Sequence, residues 1–169
     1  MVEENLITEE MEKCFNDPNE PVMFSAKVVK LSRFNIQQAR TLVLSGDHIY
    51  LFEKNKLNRR HRLTNMAAYI KSTVSNEVVL SFPNAKDLRV KGLTAEQVVM
   101  LLSLIQLRYV NKCPEKTLMI FGVPEDNLRE FSQDNKKYGF VNLPEDKYRL
   151  RNEEMTGTAD EENKEEDDE

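Results

Sequence analysis

The chain has 169 residues, of which 40% are apolar and 31% are charged, and its formal net charge is −5. This profile suits one globular domain with polar extensions, and no run approaches the ~18 apolar residues of a membrane-spanning helix. The acidic N-terminus also lacks the apolar stretch of a secretory signal. Cys14 and Cys113 have no CxxC partner, so we expect two reduced thiols in a cytoplasmic protein and neither a zinc site nor a disulfide framework.

Charge divides the chain into a basic middle and two acidic arms. Residues 1–20 carry a net charge of −6, residues 21–112 carry +10 and residues 113–169 carry −9. A field of that size steers anionic partners towards the middle domain. We expect an extension at 113–150 that packs on this domain, followed by a disordered acidic tail at 151–169.

In chain order, the acidic leader 1–20 comes first, and Thr8 predicts the start of a short helix that runs through Cys14. From Pro21 the apolar residues alternate with a period of two, and Gly46-Asp47 predicts a tight hairpin. Seven short strands at regular spacing favour an antiparallel sandwich or barrel. They are predicted near residues 22–28, 39–45, 48–54, 59–63, 66–73, 77–82 and 87–92.

One long helix follows these strands. Thr94 and Gln97 form a capping box, and apolar residues then recur at helical spacing, which predicts a helix from Ala95 to Lys112 with a core-facing stripe. Beyond it, Thr117–Val123 predicts another strand, and Pro124 predicts the first turn of a short helix. The segment 138–144 is predicted to be extended.

Seven antiparallel strands leave open ends in a small barrel, and an amphipathic helix can close one of them. This order of elements resembles a pleckstrin-homology (PH)-like domain, a mainly β barrel with a C-terminal capping helix. A split or longer barrel with a peripheral helix is the alternative.

Within residues 27–73, a set of residues matches a series of strand motifs in order and spacing. They are Val29, Lys30, Arg33, Gln37, Gln38, Arg40, Leu42, Leu44, Ile49, Tyr50, Lys56, Leu57, Arg59 and Arg60. Through these residues the segment resembles the tail homology 1 domain of class I myosins, while the rest of the domain to Lys112 agrees only in pattern. No motor, light-chain-binding neck or long tail accompanies the segment, so the resemblance implies a free-standing barrel without motor function.

The resemblance implies that the barrel mouth binds a phosphoinositide headgroup, which needs several converging Lys and Arg donors. The key pair of the family, late in the first strand and early in the second, corresponds to Lys30 and Arg40. The remaining predicted anion-binding residues are Lys27, Arg33, Arg59, Arg60 and Arg62. Phe34 and Ile36, in the loop between these strands, are predicted to insert into the membrane. The alternative is an ordinary solvated hairpin in which either side chain folds under the loop.

Other interpretations of these residues stay open at this point. Arg40 alternates with apolar residues and equally fits a position that flanks the core, while Lys27 and Lys30 have opposite parity and cannot point the same way in a regular strand. Barrels of this type also serve as protein-binding scaffolds. The alternative function is therefore a cytoskeletal scaffold that binds microtubules or actin and has no affinity for lipid.

Catalysis is not expected, because the chain has no glycine-rich phosphate loop, and neither His48 nor His61 has a nucleophile or metal partner at useful spacing. Both histidines are interpreted as surface residues, and no cofactor or metal is implied. The lack of interleaved aromatic residues and the acidic arms argue against nucleic acid. We therefore predict a non-catalytic cytoplasmic adaptor, peripheral to the membrane or the cytoskeleton, whose partner is an anionic lipid headgroup or an acidic protein surface.

Overall fold

The computed structural model describes residues 6–83, 85–132 and 148–150. The helices are α1 (Glu9–Glu12) and α2 (Ala95–Lys112), and single 3₁₀ turns lie at Leu63–Asn65 and Arg129–Phe131. The strands are β1 (Val22–Leu31), β2 (Gln37–Ser45), β3 (His48–Glu53), β4 (Lys56–Arg62), β5 (Ala68–Ser72), β6 (Val78–Ser81), β7 (Leu88–Lys91) and β8 (Met119–Val123).

The strands form one sheet in the order β4-β3-β2-β1-β7-β6-β5-β8. All neighbours are antiparallel except β5 and β8, which run parallel. Only two residues of β1 pair with β7, Val29 with Lys91 and Lys30 with Val90, and this short ladder joins the two halves of the sheet. The prediction of a mainly β fold with one C-terminal helix is confirmed.

The main core lies between the two halves of the sheet and α2. Side chains from β1, β2, β3, β5, β6 and β7 share one apolar cluster with the buried stripe of the helix. Two tyrosine hydroxyls tie helix and sheet together, because Tyr69 donates to the Val98 carbonyl (3.0 Å) and Tyr109 to the Met66 carbonyl (3.1 Å). Helix α2 has the predicted bounds and the predicted capping box at Thr94.

Two smaller apolar clusters cover the outer side of the sheet. The N-terminal segment lays Met11 and Phe15 against Tyr50 and its neighbours on β2 and β3. The C-terminal segment lays Leu128 and Phe131 against residues of β5, β6 and β8. Described residues of both acidic arms therefore pack on the sheet.

Several predicted boundaries need correction. The helix expected at Pro124 is wrong, because the chain there stays non-helical and only Arg129–Phe131 form a 3₁₀ turn. The reason is that the Leu128 N–H donates to Glu77, so the backbone is bonded to the sheet. Strand β4 begins at Lys56, ahead of the strand predicted near residues 59–63. The segment 138–144 and the tail 151–169 lie outside the described residues.

No helix among the described residues is both long and apolar enough to cross a bilayer. The exposed side of α2 nevertheless carries Leu107 and Val110, which are 56% and 64% exposed.

Burial of the α2 stripe generates a stability prediction. Leu102 is 1% exposed within the main core, so Leu102→Ala should lower the free energy of unfolding by about 2–5 kcal/mol. Leu107→Ala, on the exposed side of the same helix, should change it by less than about 0.5 kcal/mol. Denaturant unfolding of both variants measures the difference, and equal losses would place the stripe outside the core.

Candidate functional site

The loop between β1 and β2 is a closed turn built around one serine. The Ser32 hydroxyl accepts hydrogen bonds from the backbone N–H groups of Phe34 (3.2 Å) and Ile36 (3.0 Å), and the Ser32 N–H donates to the Ile36 carbonyl (3.1 Å). Asn35 has a φ of +62°, a left-handed conformation that asparagine adopts more readily than most residues. The loop holds Phe34 and Ile36 at 63% and 57% exposure, so both apolar side chains face outwards from an ordered turn.

A depression of about 780 Å³ lies beside this turn, and we call it the loop pocket. Four cationic residues line it, from β1, the β1–β2 loop, β4 and the β6–β7 loop. They are Lys30, Arg33, Arg59 and Lys86. Phe34 lines the same pocket, and the guanidinium of Arg33 lies 4.7 Å from the centre of its ring, within the range of a cation–π contact.

Lys86 was absent from the sequence-predicted set. Lys86 lies between two predicted strands, and it can be recognised as a pocket residue only once the β6–β7 loop is known to lie at the barrel mouth. Its presence means that the loop pocket draws cations from both halves of the sheet.

Arg59 forms one wall of the loop pocket. Its guanidinium donates to the carbonyls of Lys86 and Asp87 (3.2 Å for the latter), and its Nε donates to Nε2 of His61 (3.0 Å). These bonds tie the edge strand β4 to the β6–β7 loop. Arg59 thus keeps its positive charge at the pocket while its hydrogen bonds hold the wall in place.

His61 is suited to accept that bond because it stays neutral. Its ring stacks on Phe82 with 4.1 Å between centroids. Burial, reinforced by the positive charge of Arg59, lowers the pKa of His61 from 6.5 to about 4. The interpretation of His61 as a simple surface residue is therefore incomplete.

Arg40 lies in a neighbouring depression of about 560 Å³, which we call the Arg40 pocket and which Lys27, Glu53 and Lys54 also line. Its side chain is only 8% exposed, lies 3.7 Å from a Glu53 carboxylate oxygen and donates to the carbonyl of Ala39 (2.8 Å). Its buried Nε has no hydrogen-bond partner among the described residues. The two residues of the family's key pair, Lys30 and Arg40, thus line different pockets.

Strand register separates the other predicted cations. Lys27 lies opposite Thr41, one position out of phase with core residues of β1, and so lies on the outer side of the sheet. Arg60 pairs with Tyr50, whose side chain belongs to the outer cluster, and Arg62 pairs with His48. The structure therefore brings Lys30, Arg33 and Arg59 together and leaves Lys27, Arg60 and Arg62 elsewhere.

His48 is buried, which corrects its interpretation as a surface histidine. It is 8% exposed, with Nδ1 3.1 Å from the carboxylate of Glu20 and Nε2 3.0 Å from the side-chain amide of Asn16. Glu20 also accepts from the hydroxyls of Ser45 and Tyr50. Burial opposes ionisation of Glu20, but these hydrogen bonds outweigh it and lower its pKa. The network anchors the N-terminal segment to the hairpin of β2 and β3.

Nothing in the described ranges gathers three or more His, Cys, Asp or Glu side chains into a possible metal site. What the described site offers chemically is hydrogen-bond donors and positive charge next to exposed apolar side chains.

The fold is that of a PH-like domain, a β-sandwich capped by a C-terminal helix. Among solved structures, the hSac2 domain of the human phosphoinositide phosphatase Sac2 matches with a TM-score of 0.50 at 12% sequence identity, over 66% of this chain and 82% of that one. The N-terminal PH domain of human ARAP2 matches at 12% identity and a TM-score of 0.48, over 56% of this chain and 84% of that one.

The truncated linker-DH/PH fragment of p115-RhoGEF also matches at 12% identity and a TM-score of 0.48. The match covers 56% of this chain and 30% of the fragment, so this chain spans under a third of the fragment's length. No family model and no curated protein sequence matches this chain. At these identities the likeness concerns the fold alone.

The lowered pKa of His61 generates a pH prediction. The unfolded chain binds a proton at His61 more tightly than the folded chain does. The contribution of neutral His61 to stability is therefore fully present above pH 6.5 and is lost as the pH falls from 6.5 towards about 4. His61→Phe keeps a ring against Phe82 and removes the titration. Thermal midpoints across that window should fall less steeply for the variant, and parallel curves would show that His61 does not titrate in this way.

Proposed function

We propose that this domain is a non-catalytic adaptor that binds an anionic membrane surface through the loop pocket and inserts the tip of the β1–β2 loop. One observation carries the proposal, namely that four cations, against the single acid Asp87, line a pocket beside a loop whose tip exposes two apolar side chains, one of which, Phe34, lines the pocket. A phosphorylated lipid headgroup needs several donors at one point. A bilayer interface accepts apolar side chains directly beside it.

Rough magnitudes support reversible binding. Each cation near an anionic leaflet contributes about 1 kcal/mol, and this attraction falls off within a Debye length. Burial of the loop's apolar side chains adds roughly 25 cal/mol per Å². Phosphoinositides are the proposed headgroups, because the resemblance to the tail homology 1 domain of class I myosins implies them and because their phosphates suit clustered Lys and Arg donors.

The ordered shape of the loop favours the same function. Its internal hydrogen bonds already fix Phe34 and Ile36 outwards, so insertion needs little further ordering. The Arg40 pocket is proposed as a further anion contact, because Gln38 lines both pockets and the two are therefore adjacent. We rank it second because the negative charge of Glu53 partly offsets the positive charge of Arg40.

A charge-matched pair of double variants tests the pocket. Lys30→Ala with Arg33→Ala removes two cations from the loop pocket, whereas Arg60→Ala with Arg62→Ala removes two from the outer side of β4. The first should weaken binding to phosphoinositide-containing vesicles about tenfold or more, because roughly 2 kcal/mol is lost. The second should weaken it less than about threefold, since those cations lie away from the pocket.

Vesicle co-sedimentation at fixed ionic strength measures both variants beside the parent protein. Equal weakening by the two pairs would show attraction by net charge alone and reject the pocket. An absence of binding by the parent protein would reject the lipid function itself.

A second matched pair tests insertion. Phe34→Ser with Ile36→Ser removes the apolar loop tip, and Leu107→Ser with Val110→Ser removes two side chains of similar exposure from α2. Only the loop pair should lose vesicle affinity, by about tenfold, because only these side chains leave water on binding. The thermal midpoints should stay close to that of the parent. If the helix pair lost as much affinity, the membrane would contact α2 instead.

One observation favours the alternative of a cytoskeletal scaffold. Strand β4 is an edge of the sheet, and Arg60 and Arg62 are exposed on its outer side. An acidic filament surface could contact this edge without any lipid. Co-sedimentation with microtubules and with actin filaments decides between the two, since binding lost in the Arg60 and Arg62 variant but kept in the Lys30 and Arg33 variant would favour the scaffold.

A further inference from the structure

Arg89 of β7 is a buried cation that none of the proposed binding steps uses. It is only 3% exposed, on the outer side of the sheet opposite Val79. An arginine in such a position needs partners for its guanidinium, because an unpaired buried charge is strongly destabilising. The segments to which those partners belong are the parts of the molecule that depend on Arg89.

The guanidinium of Arg89 contacts three separate segments. Its Nε donates to the carboxylate of Glu77, just before β6. One terminal nitrogen donates to the side-chain oxygen of Asn35 in the β1–β2 loop (2.7 Å), and the other to the side-chain oxygen of Asn127 beyond β8 (2.8 Å). Arg89 therefore bridges the candidate membrane-inserting loop and the C-terminal segment.

The C-terminal side of this bridge is itself fixed. The Asn127 side-chain oxygen also accepts from the Arg129 N–H (2.8 Å), and the Glu77 carboxylate accepts from the Leu128 N–H (3.0 Å). Leu128 is fully buried in the outer cluster. The orientation of Arg89 is consequently set by how the C-terminal segment lies on the sheet.

The loop side of the Arg89 bridge depends on the bond to Asn35. Asn35 combines a φ of +62° with the bond from Arg89, and it lies between the two exposed apolar residues of the loop. Ser32 takes part in the hydrogen bonds described within the loop. The bond from Arg89 is a contact that ties the tip of the loop to the body of the sheet.

We propose that Arg89 is a positioning residue that couples the C-terminal segment after β8 to the β1–β2 loop. Through it, the seating of residues 124–132 sets how firmly the loop presents its apolar tip. The lipid consequence rests on the proposed function, whereas the coupling between segment and loop does not. A partner that displaced the C-terminal segment would thereby loosen the loop and weaken membrane binding.

The test compares Asn127→Ala, which removes the acceptor, with Asn127→Asp, which keeps it. Asn127 is exposed, and its described hydrogen bonds go to Arg89 and Arg129 rather than to the β1–β2 loop. Amide hydrogen exchange at Ser32, Phe34, Asn35 and Ile36 is measured without lipid. Asn127→Ala should speed exchange about fivefold, as expected when one hydrogen bond is lost. Asn127→Asp should stay within about twofold of the parent.

A double-variant cycle with Asn35→Gly tests whether the effect passes through Arg89. Glycine keeps the positive φ and removes the acceptor. In that background Asn127→Ala should have little further effect on loop exchange, because the bridge is already broken. Full additivity, or unchanged loop exchange in Asn127→Ala alone, would overturn the coupling.

Vesicle affinity of the same proteins separates this inference from the proposed function. If the parent binds vesicles, Asn127→Ala should bind about threefold to fivefold more weakly and Asn127→Asp like the parent. Faster loop exchange with unchanged affinity would overturn the link between loop order and binding. A parent that binds no vesicles would overturn the proposed function, while the exchange data would still judge the coupling.

Discussion

The packing of α2 between the two halves of the sheet is the contact on which the rest of the structure depends. The halves share only a short ladder between β1 and β7, so backbone hydrogen bonds alone hold them weakly. The buried stripe of α2 packs between them in one apolar cluster, and burial of this apolar area stabilises the contact between the halves. A loss in that stripe would therefore affect strands in both halves of the sheet.

Anchoring of the helix also decides which end of the barrel is free. The Nε of Arg108 donates to the Gly46 carbonyl (2.8 Å), and the Lys112 ammonium lies 3.2 Å from a carboxylate oxygen of Asp47. This turn lies at the end of β2 opposite the β1–β2 loop. The loop pocket and its cations are consequently left at the end that α2 does not hold, where an anionic surface can approach.

The two acidic arms have a structural part in addition to their charge. Their apolar residues cover the outer sides of both halves of the sheet, and polar networks around Glu20 and Arg89 fix each one. The C-terminal segment after β8 meets the β1–β2 loop at Arg89, so a segment that follows the capping helix contacts the end of the sheet proposed to bind. This arrangement makes loop order and the seating of the C-terminal segment two aspects of one network.

The sequence by itself determined the local elements. Period-two alternation marked the strands of the barrel, and the capping box at Thr94 with its apolar stripe marked α2 to the residue, because such signals depend on neighbours in the chain. The sequence placed Phe34 and Ile36 between two strands, and the tertiary structure decided that both side chains are exposed. Tertiary structure alone decided which cations meet, since the register of β4 and the position of the β6–β7 loop depend on distant pairing. It placed Lys86 in the same pocket as Lys30 and placed Arg40 in another. Strand register put Arg60 and Arg62 on the outer side of the sheet. Folding also buried His48 and Arg89 among partners more than ten residues away in the chain.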